Sequence, residues 1–186
     1  RMIGRADMFA YNFGDNKIAG EPRHAEPYWR DVGTIDAFYE ANMDLRAVTP
    51  ALNLYNREWP LRTAGYPDAP AKFVFAEGER RGEATESIVS AGCIISGGRV
   101  TRSILGRGVH VHSYAQIDES VIFDNCDIGR GARIRRAILD KNVRVPPNAT
   151  IGYDLESDEK LYHVTESGLV VVEGRRSSIE VSTLEL

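Results

Sequence analysis

Cysteine is scarce in this chain: Cys93 and Cys126 are the two among 186 residues. That is too few for a disulfide framework or a four-ligand zinc site built on thiolates. Long apolar runs are missing as well. No stretch of eighteen apolar residues occurs, and the opening Arg1-Met2-Ile3-Gly4-Arg5-Ala6-Asp7 lacks the apolar core of a signal peptide, so no membrane span and a cytoplasmic location are expected. Nor is there an excess of basic charge. With 23 Lys and Arg against 27 Asp and Glu the net charge is -4, which argues against nucleic-acid or membrane-surface binding through bulk charge. What remains is the composition of a globular protein, long enough for a sizeable core.

One regularity runs through the second half. Ile88, Leu105, Ile122 and Leu139 follow one another at steps of seventeen. Six residues further along, Ile94, Val111, Ile128 and Val145 form a second series, and six more give Val100, Ile117, Ile134 and Ile151. With 42% of residues hydrophobic, twelve such coincidences in one frame have a chance probability on the order of one in thirty thousand. Val89 and Ile95 are equally good candidates in the first coil if it carries a one-residue deletion. Spacings of six, six and five suit a triangular prism with one short strand per face and one inward aliphatic per strand. Gly98, Ala115, Ala132 and Ala149 add a column of small residues, as tight corners require.

A single coil cannot bury its apolar row, so the coils must stack. Each side chain so buried contributes roughly 1.5 to 3 kcal/mol before chain entropy is subtracted. An amphipathic helix would need apolar spacings of three and four, and the glycines at 97, 98, 106, 108, 129 and 131 would each cost it about 1 kcal/mol. An antiparallel sandwich would not keep a fixed repeat length. The expected fold is therefore mainly β: a parallel β-helix of hexapeptide repeats over residues 87–174. In it the two cysteines fall on equivalent positions two coils apart, and two strand spacings of about 4.8 Å put them beyond disulfide reach. Small buried thiols are expected.

The flanks have another texture. Met8 to Phe13 is expected as a strand, followed by a turn at Gly14-Asp15-Asn16-Lys17. A helix should start near Thr34 or Asp36, carry Ile35, Phe38, Tyr39 and Met43 as its apolar stripe, and end by Pro50. With no evident cover for that stripe elsewhere in the chain, residues 1–50 read as the end of a larger α/β domain. Residues 51–86 read as a connecting segment with Trp59-Pro60 packed at its centre and Ala76 to Glu86 as an exposed charged loop. Leu161 to Val164 and Gly168 to Val172 suggest a terminal hairpin that caps the prism. Residues 175–186 carry no usable pattern and read as a tail.

The run Glu26-Pro27-Tyr28-Trp29-Arg30-Asp31-Val32-Gly33-Thr34-Ile35-Asp36-Ala37-Phe38-Tyr39-Glu40-Ala41-Asn42-Met43-Asp44-Leu45 resembles bacterial glucose-1-phosphate adenylyltransferases where their nucleotidyltransferase domain ends. Further likenesses are Trp59-Pro60-Leu61-Arg62-Thr63, Pro70-Ala71-Lys72-Phe73-Val74, Ser90-Ala91-Gly92-Cys93-Ile94-Ile95-Ser96-Gly97 and Arg135-Arg136-Ala137-Ile138-Leu139-Asp140-Lys141. They extend in order from about residue 8 to residue 173. The resemblance implies the reaction of ATP with glucose 1-phosphate to give ADP-glucose and pyrophosphate with Mg²⁺, for glycogen biosynthesis. It also implies an α/β nucleotide-binding domain followed by a left-handed β-helix, a homotetramer, and a phosphorylated-metabolite effector at the domain interface. The family's glycine-rich nucleotide signature, its basic pyrophosphate-contacting residues and its sugar-contacting Glu-Lys segment are absent here. The chain thus reads as a C-terminal part of such an enzyme, with 1–50 a remnant of the catalytic domain, and is not expected to turn over alone.

By that resemblance Asp31 is the metal candidate, an oxygen ligand for a hard cation between phosphates. A carboxylate capping the following helix would suit it equally on local grounds. Tyr28, Trp29 and Gly33 would shape the sugar-side wall or simply pack, and Arg30 would pair with a phosphate or a nearby carboxylate. Lys141, with Arg133, Arg135, Arg136 and Arg144 around it in sequence, would bind the anionic effector or stay solvated. His110 and His112 raise a hexapeptide-repeat acyltransferase as the alternative enzyme, since a histidine base is used there. They flank the inward Val111, so both should point outward, and solvated histidines are the favoured reading. A non-enzymatic assembly module is the third possibility.

Overall fold

A computed structural model describes residue 7 and residues 9–22 and 27–174. Its body is a three-sided stack. The first face holds Lys72–Val74, Ile94–Ser96, His110–Val111, Asp127–Ile128 and Arg144–Val145. The second holds Glu83–Thr85, Arg99–Thr101, Gln116–Asp118, Arg133–Arg135 and Thr150–Ile151. The third holds Ile88–Val89, Ile104–Leu105, Val121–Ile122, Ala137–Leu139 and Val170–Val172, all parallel, and His163–Val164 closes it antiparallel. This is a left-handed parallel β-helix, mainly β. No helix among the described residues is long and apolar enough to cross a membrane.

The register is that of the aliphatic series from the second coil onward. Ile117 stacks between Val100 and Ile134, Ile122 between Leu105 and Leu139, and Ile128 between Val111 and Val145, all buried around the axis. The first coil differs. Val89 pairs with Leu105 and Ile95 with Val111, steps of sixteen rather than seventeen. Ile95 is wholly buried, whereas Ile94 lies outward and is 38% exposed. Ile88 and Ile94 therefore leave the inward series, and Val89 and Ile95 take their places. The missing residue is at the corner Gly97-Gly98. Gly97 turns there with φ 74°, and a Cβ on Gly98 would meet Val111 at 2.8 Å and the His112 carbonyl at 2.9 Å. A corner without side chains closes with one residue fewer.

The other corners use two devices. Glu86, Arg102, Glu119 and Arg136 all have left-handed φ of 44 to 48° where the second face turns into the third. Next to them runs a serine ladder. Ser103 Oγ donates to the Thr101 carbonyl and accepts from Ser120 N, and Ser120 Oγ donates to the Asp118 carbonyl and accepts from Ala137 N. These buried hydroxyls satisfy corner amides that would otherwise be orphaned.

The helix α1 spans Ile35–Leu45, capped by Thr34, whose Oγ1 accepts from Ala37 N at 3.1 Å. It ends at Leu45, ahead of Pro50. Its Tyr39, Phe38 and Met43 pack on Val121, Ile138, Leu169 and Phe123, the outer side of the third face. The Tyr39 hydroxyl donates to the Glu119 carbonyl at 2.6 Å. The helix thus finds its cover within the chain, so its apolar stripe is no argument for a larger domain.

Several expectations for the flanks are corrected. Met8 lies outside the described residues, and Phe9 to Asn12 form no strand; Phe13–Asp15 is a single 3₁₀ turn, capped by Asn12. Phe9 is 92% exposed, with no strand paired against it among the described residues. Trp59 is about half exposed, and the packing role in that stretch falls to buried Asn56, whose Nδ2 donates to the Ala19 carbonyl at 2.7 Å. Lys72–Val74 and Glu83–Thr85 already belong to the stack, joined by the hairpin Ala76–Glu77 with Arg80–Arg81, so the charged stretch is not a loop. Val170–Val172 and His163–Val164 extend the third face alone, and among the described residues the prism end is covered only in part. A cavity of about 380 Å³ remains there beside Val145, Pro146, Ile151, Tyr162 and Val172. The tail 175–186 lies outside the described residues.

The register of the first coil is open to direct measurement. Ile95→Ala should lower unfolding stability by about 2 to 5 kcal/mol, a buried-cavity cost. Ile94→Ala should stay within about 0.5 kcal/mol, as for an outward residue. Urea unfolding monitored by circular dichroism distinguishes them; equal losses would contradict the one-residue offset.

Candidate functional site

Outward positions on this scaffold are set by strand alternation, so any site on a face must be assembled from residues two apart along the chain and from their register partners on adjacent coils. On the second face Ile134 points to the axis, and Arg133 and Arg135 therefore stand together outside it. Tyr153 lies under both. Its ring is 4.3 Å from the Arg133 guanidinium carbon and 4.8 Å from that of Arg135, within cation–π range. The carboxylate registered beside Arg135, Asp118, is taken by Arg102 at 2.6 Å. The pair is thus oriented by an aromatic ring and leaves its donor edges for an anion.

The other three cations of the expected cluster do not join them. Arg136 occupies the corner into the third face, above the Tyr39 ring, and donates to the Ser167 carbonyl and Oγ at 3.3 and 3.2 Å. Lys141 sits in the turn beyond the third face, and Arg144 is on the first face, in register with Asp127. Seventeen residues make a full circuit, so cations eleven apart in sequence fall on different sides of the prism. Tyr153 was not among the sequence candidates; its position one circuit of seventeen after the corner residue Arg136 was the available signal.

Before α1 the chain is irregular. Asp31 Oδ1 accepts from Gly33 N at 3.0 Å, an Asx turn, while Thr34 supplies the helix cap. Capping is thereby removed as an explanation of Asp31. Its carboxylate is exposed and keeps Oδ2 open. One carboxylate oxygen together with substrate phosphates is a normal Mg²⁺ environment, so Asp31 fits as a single ligand. It belongs to no three-donor group among the described residues. Arg30 is ion-paired with Asp44 of α1, which ties this loop to the helix. Trp29 is exposed, and Tyr28 lines a cleft of about 120 Å³ with Asn16, Lys17, Asn53 and Trp59.

His110 and His112 both face outward, their ring centroids 4.0 Å apart. His112 Nε2 is 2.7 Å from Asp127 Oδ1. His110 is held below the ordinary imidazole range by partial burial first and by His112 second.

The segment 69–172 matches the family model described as GlmU-like, C-terminal hexapeptide. The chain is 51% identical over 174 residues, 92% of its length, to the glucose-1-phosphate adenylyltransferase of Anaeromyxobacter sp. (strain Fw109-5). It is 52% identical over 175 residues to that of Geobacter metallireducens, and 51% over 186 residues, 97% of the chain, to that of Rhodopirellula baltica. It spans 42%, 42% and 41% of those relatives, about two fifths of their length.

The cysteines contribute no chemistry. Both are free and buried; Cys93 Sγ donates to the Gly106 carbonyl at 3.0 Å and Cys126 Sγ to the Asp140 carbonyl at 3.1 Å. Burial raises both thiols, Cys126 to about 11. A thiolate is the reactive species, so at pH 8 neither should alkylate in the folded chain. Iodoacetamide labelling read by intact mass should add nothing natively and two groups in urea; rapid native labelling would contradict the buried placement.

Proposed function

We propose, for a chain that belongs to the family of GlmU-like C-terminal hexapeptide domains, that it is the β-helix part of a glucose-1-phosphate adenylyltransferase, with the final segment of the catalytic domain attached. The carrying observation is about 50% identity to enzymes of that name across at least 92% of the chain, taking in both α1 and the coils. In this reading residues 1–50 close the nucleotidyltransferase domain, 51–71 connect, and the stack, which begins at Lys72–Val74 rather than at residue 87, provides subunit contacts and regulation in a cytoplasmic homotetramer. The shared name of the relatives speaks against an acyltransferase, and an enzyme name speaks against a purely structural module.

The reaction joins ATP and glucose 1-phosphate into ADP-glucose with release of pyrophosphate. It is chiefly a matter of positioning and charge neutralisation at the phosphates. Mg²⁺, when bound, would neutralise charge between them, with Asp31 supplying one oxygen. The Asx turn to Gly33 fixes that carboxylate, and the Arg30–Asp44 ion pair anchors its loop on α1. Tyr28, Trp29 and Gly33 would line the sugar side. A phosphorylated effector would bind at Arg133 and Arg135, whose planar forks match phosphate oxygens and are held by Tyr153. Lys141, Arg136 and Arg144 would reach it only from other sides of the prism or from a neighbouring subunit.

The activity is tested by supplying the missing half: the N-terminal catalytic portion of a relative is co-expressed with this chain, and ADP-glucose formation is measured. A folded complex should turn over ATP and glucose 1-phosphate, and a folded but silent one sinks the assignment. In the active complex, Arg133→Gln with Arg135→Gln should raise the effector concentration for half-maximal response roughly 10- to 100-fold, as expected for charge-assisted hydrogen bonds worth about 1.5 to 3 kcal/mol. An unchanged response would remove these two residues from the effector site.

A further inference from the structure

We propose that His110, His112 and Asp127 form a binding site for a divalent transition cation of the Zn²⁺ type on the first face of the stack, clamping two adjacent coils. The placement is dictated by the fold. His110 opens the strand His110–Val111 and His112 follows its end, two residues apart around the inward Val111, and the two rings lie on the same side with centroids 4.0 Å apart. Asp127 is the register partner of His110 on the next coil, exactly one circuit of seventeen residues later. One donor atom from each of the three lies within 4.8 Å of the others.

The chemistry of the donors selects the ion. Two imidazoles and one carboxylate, with no thiolate, suit Zn²⁺, Co²⁺ or Ni²⁺ better than Mg²⁺ or Ca²⁺, which prefer oxygen alone. Bond lengths of about 2.0 to 2.2 Å in a tetrahedral site bring donors to roughly 3.3 Å from one another. His112 Nε2 and Asp127 Oδ1, now 2.7 Å apart, would open slightly and His110 would close, while the strands beneath, paired on both sides, hold the backbone in place. All three groups are half-buried, so bulk water screens them less than it would free side chains. Three protein donors leave a fourth position for water or an outside ligand.

The surroundings supply a discriminating control. The outward column runs Lys72, Ile94, His110, Asp127, Arg144. Ile94 walls the site on one side. Arg144, the register partner of Asp127 on the next coil, is the neighbouring cation on the other, and its charge opposes that of a bound cation. The proposal uses no part of the nucleotidyltransferase reading and stands or falls apart from it.

The test uses the whole chain, stripped with a chelator and titrated with Zn²⁺ by calorimetry and with Co²⁺ by visible absorption. One equivalent should bind, Co²⁺ should develop the d–d bands of a low-coordinate site, and Zn²⁺ should raise the melting temperature. His110→Gln, His112→Gln and Asp127→Asn should each weaken binding by roughly tenfold or more, and Arg144→Gln should strengthen it. His163→Gln, on the antiparallel strand, should change nothing. Circular dichroism verifies the fold of each variant, which the outward placement protects. No saturable binding by the unsubstituted chain, or binding that survives His110→Gln combined with His112→Gln, overturns the proposal.

Discussion

Everything in this molecule hangs on aliphatic side chains that can leave water only by stacking on the coil above and the coil below. A single circuit has no interior of its own, so its three inward residues are stabilised by neighbours or not at all. That constraint forces parallel register, because Ile117 must lie on Val100 and under Ile134 for the column to stay closed. Register in turn fixes which residues face out. A one-residue slip would send Ile128 to solvent and Asp127 to the axis, at the cost of an unpaired buried carboxylate.

The repeat was legible for the same reason. Aliphatics at positions dictated by a fixed circuit leave a trace in sequence that no helix or sandwich imitates. The first coil was ambiguous because Ile94-Ile95 and Ile88-Val89 are adjacent apolar pairs, and choosing between them needs the corner. Gly97-Gly98 resolves it by permitting a shorter turn, but whether a glycine pair shortens a corner or merely softens it depends on the atoms it meets, here Val111 and the His112 carbonyl. The serine ladder left no periodic hydrophobic signal. Its members do recur at sixteen and seventeen residues, Ser87, Ser103 and Ser120, yet as polar residues they look like surface until the corner amides they satisfy are seen. In the flanks local pattern has to stand in for partners, and the fold departs from it. Phe9 to Phe13 has strand-like residues but no strand to join, and Glu83–Thr85 has charged ones but an edge to complete.

Site residues were legible only as far as the circuit was applied to them. Five cations close in sequence suggest a cluster; wrapping them on a triangle separates Arg133 and Arg135 from Lys141 and Arg144. The same arithmetic brings together what sequence keeps apart, since Asp127 follows His110 by the period itself and Tyr153 overhangs Arg133 from the next coil. Asp31 is a different case. Its neighbourhood is irregular, and nothing periodic constrains it; the Asx turn and the Thr34 cap, both atomic details, are what free its carboxylate for a ligand.

The outer side of the third face shows why the two parts of the chain act as one. Val121 and Ile138 point away from the axis yet are buried, because α1 lies on them. Polar contacts pin that docking. Tyr39 donates to the Glu119 carbonyl at the left-handed corner, Asp36 accepts from Thr165 and Ser167 of the terminal hairpin, and Arg136 lies over Tyr39 while donating to Ser167. Arg136 is therefore shared between the corner of the stack, the hairpin and the helix. Asp31 sits only three residues before the Thr34 cap, and Arg30 is tied to Asp44 of the same helix. Any ligand that draws Arg136 from Tyr39 and Ser167 acts on the contacts that seat α1, and the loop bearing Asp31 must follow the helix that holds it.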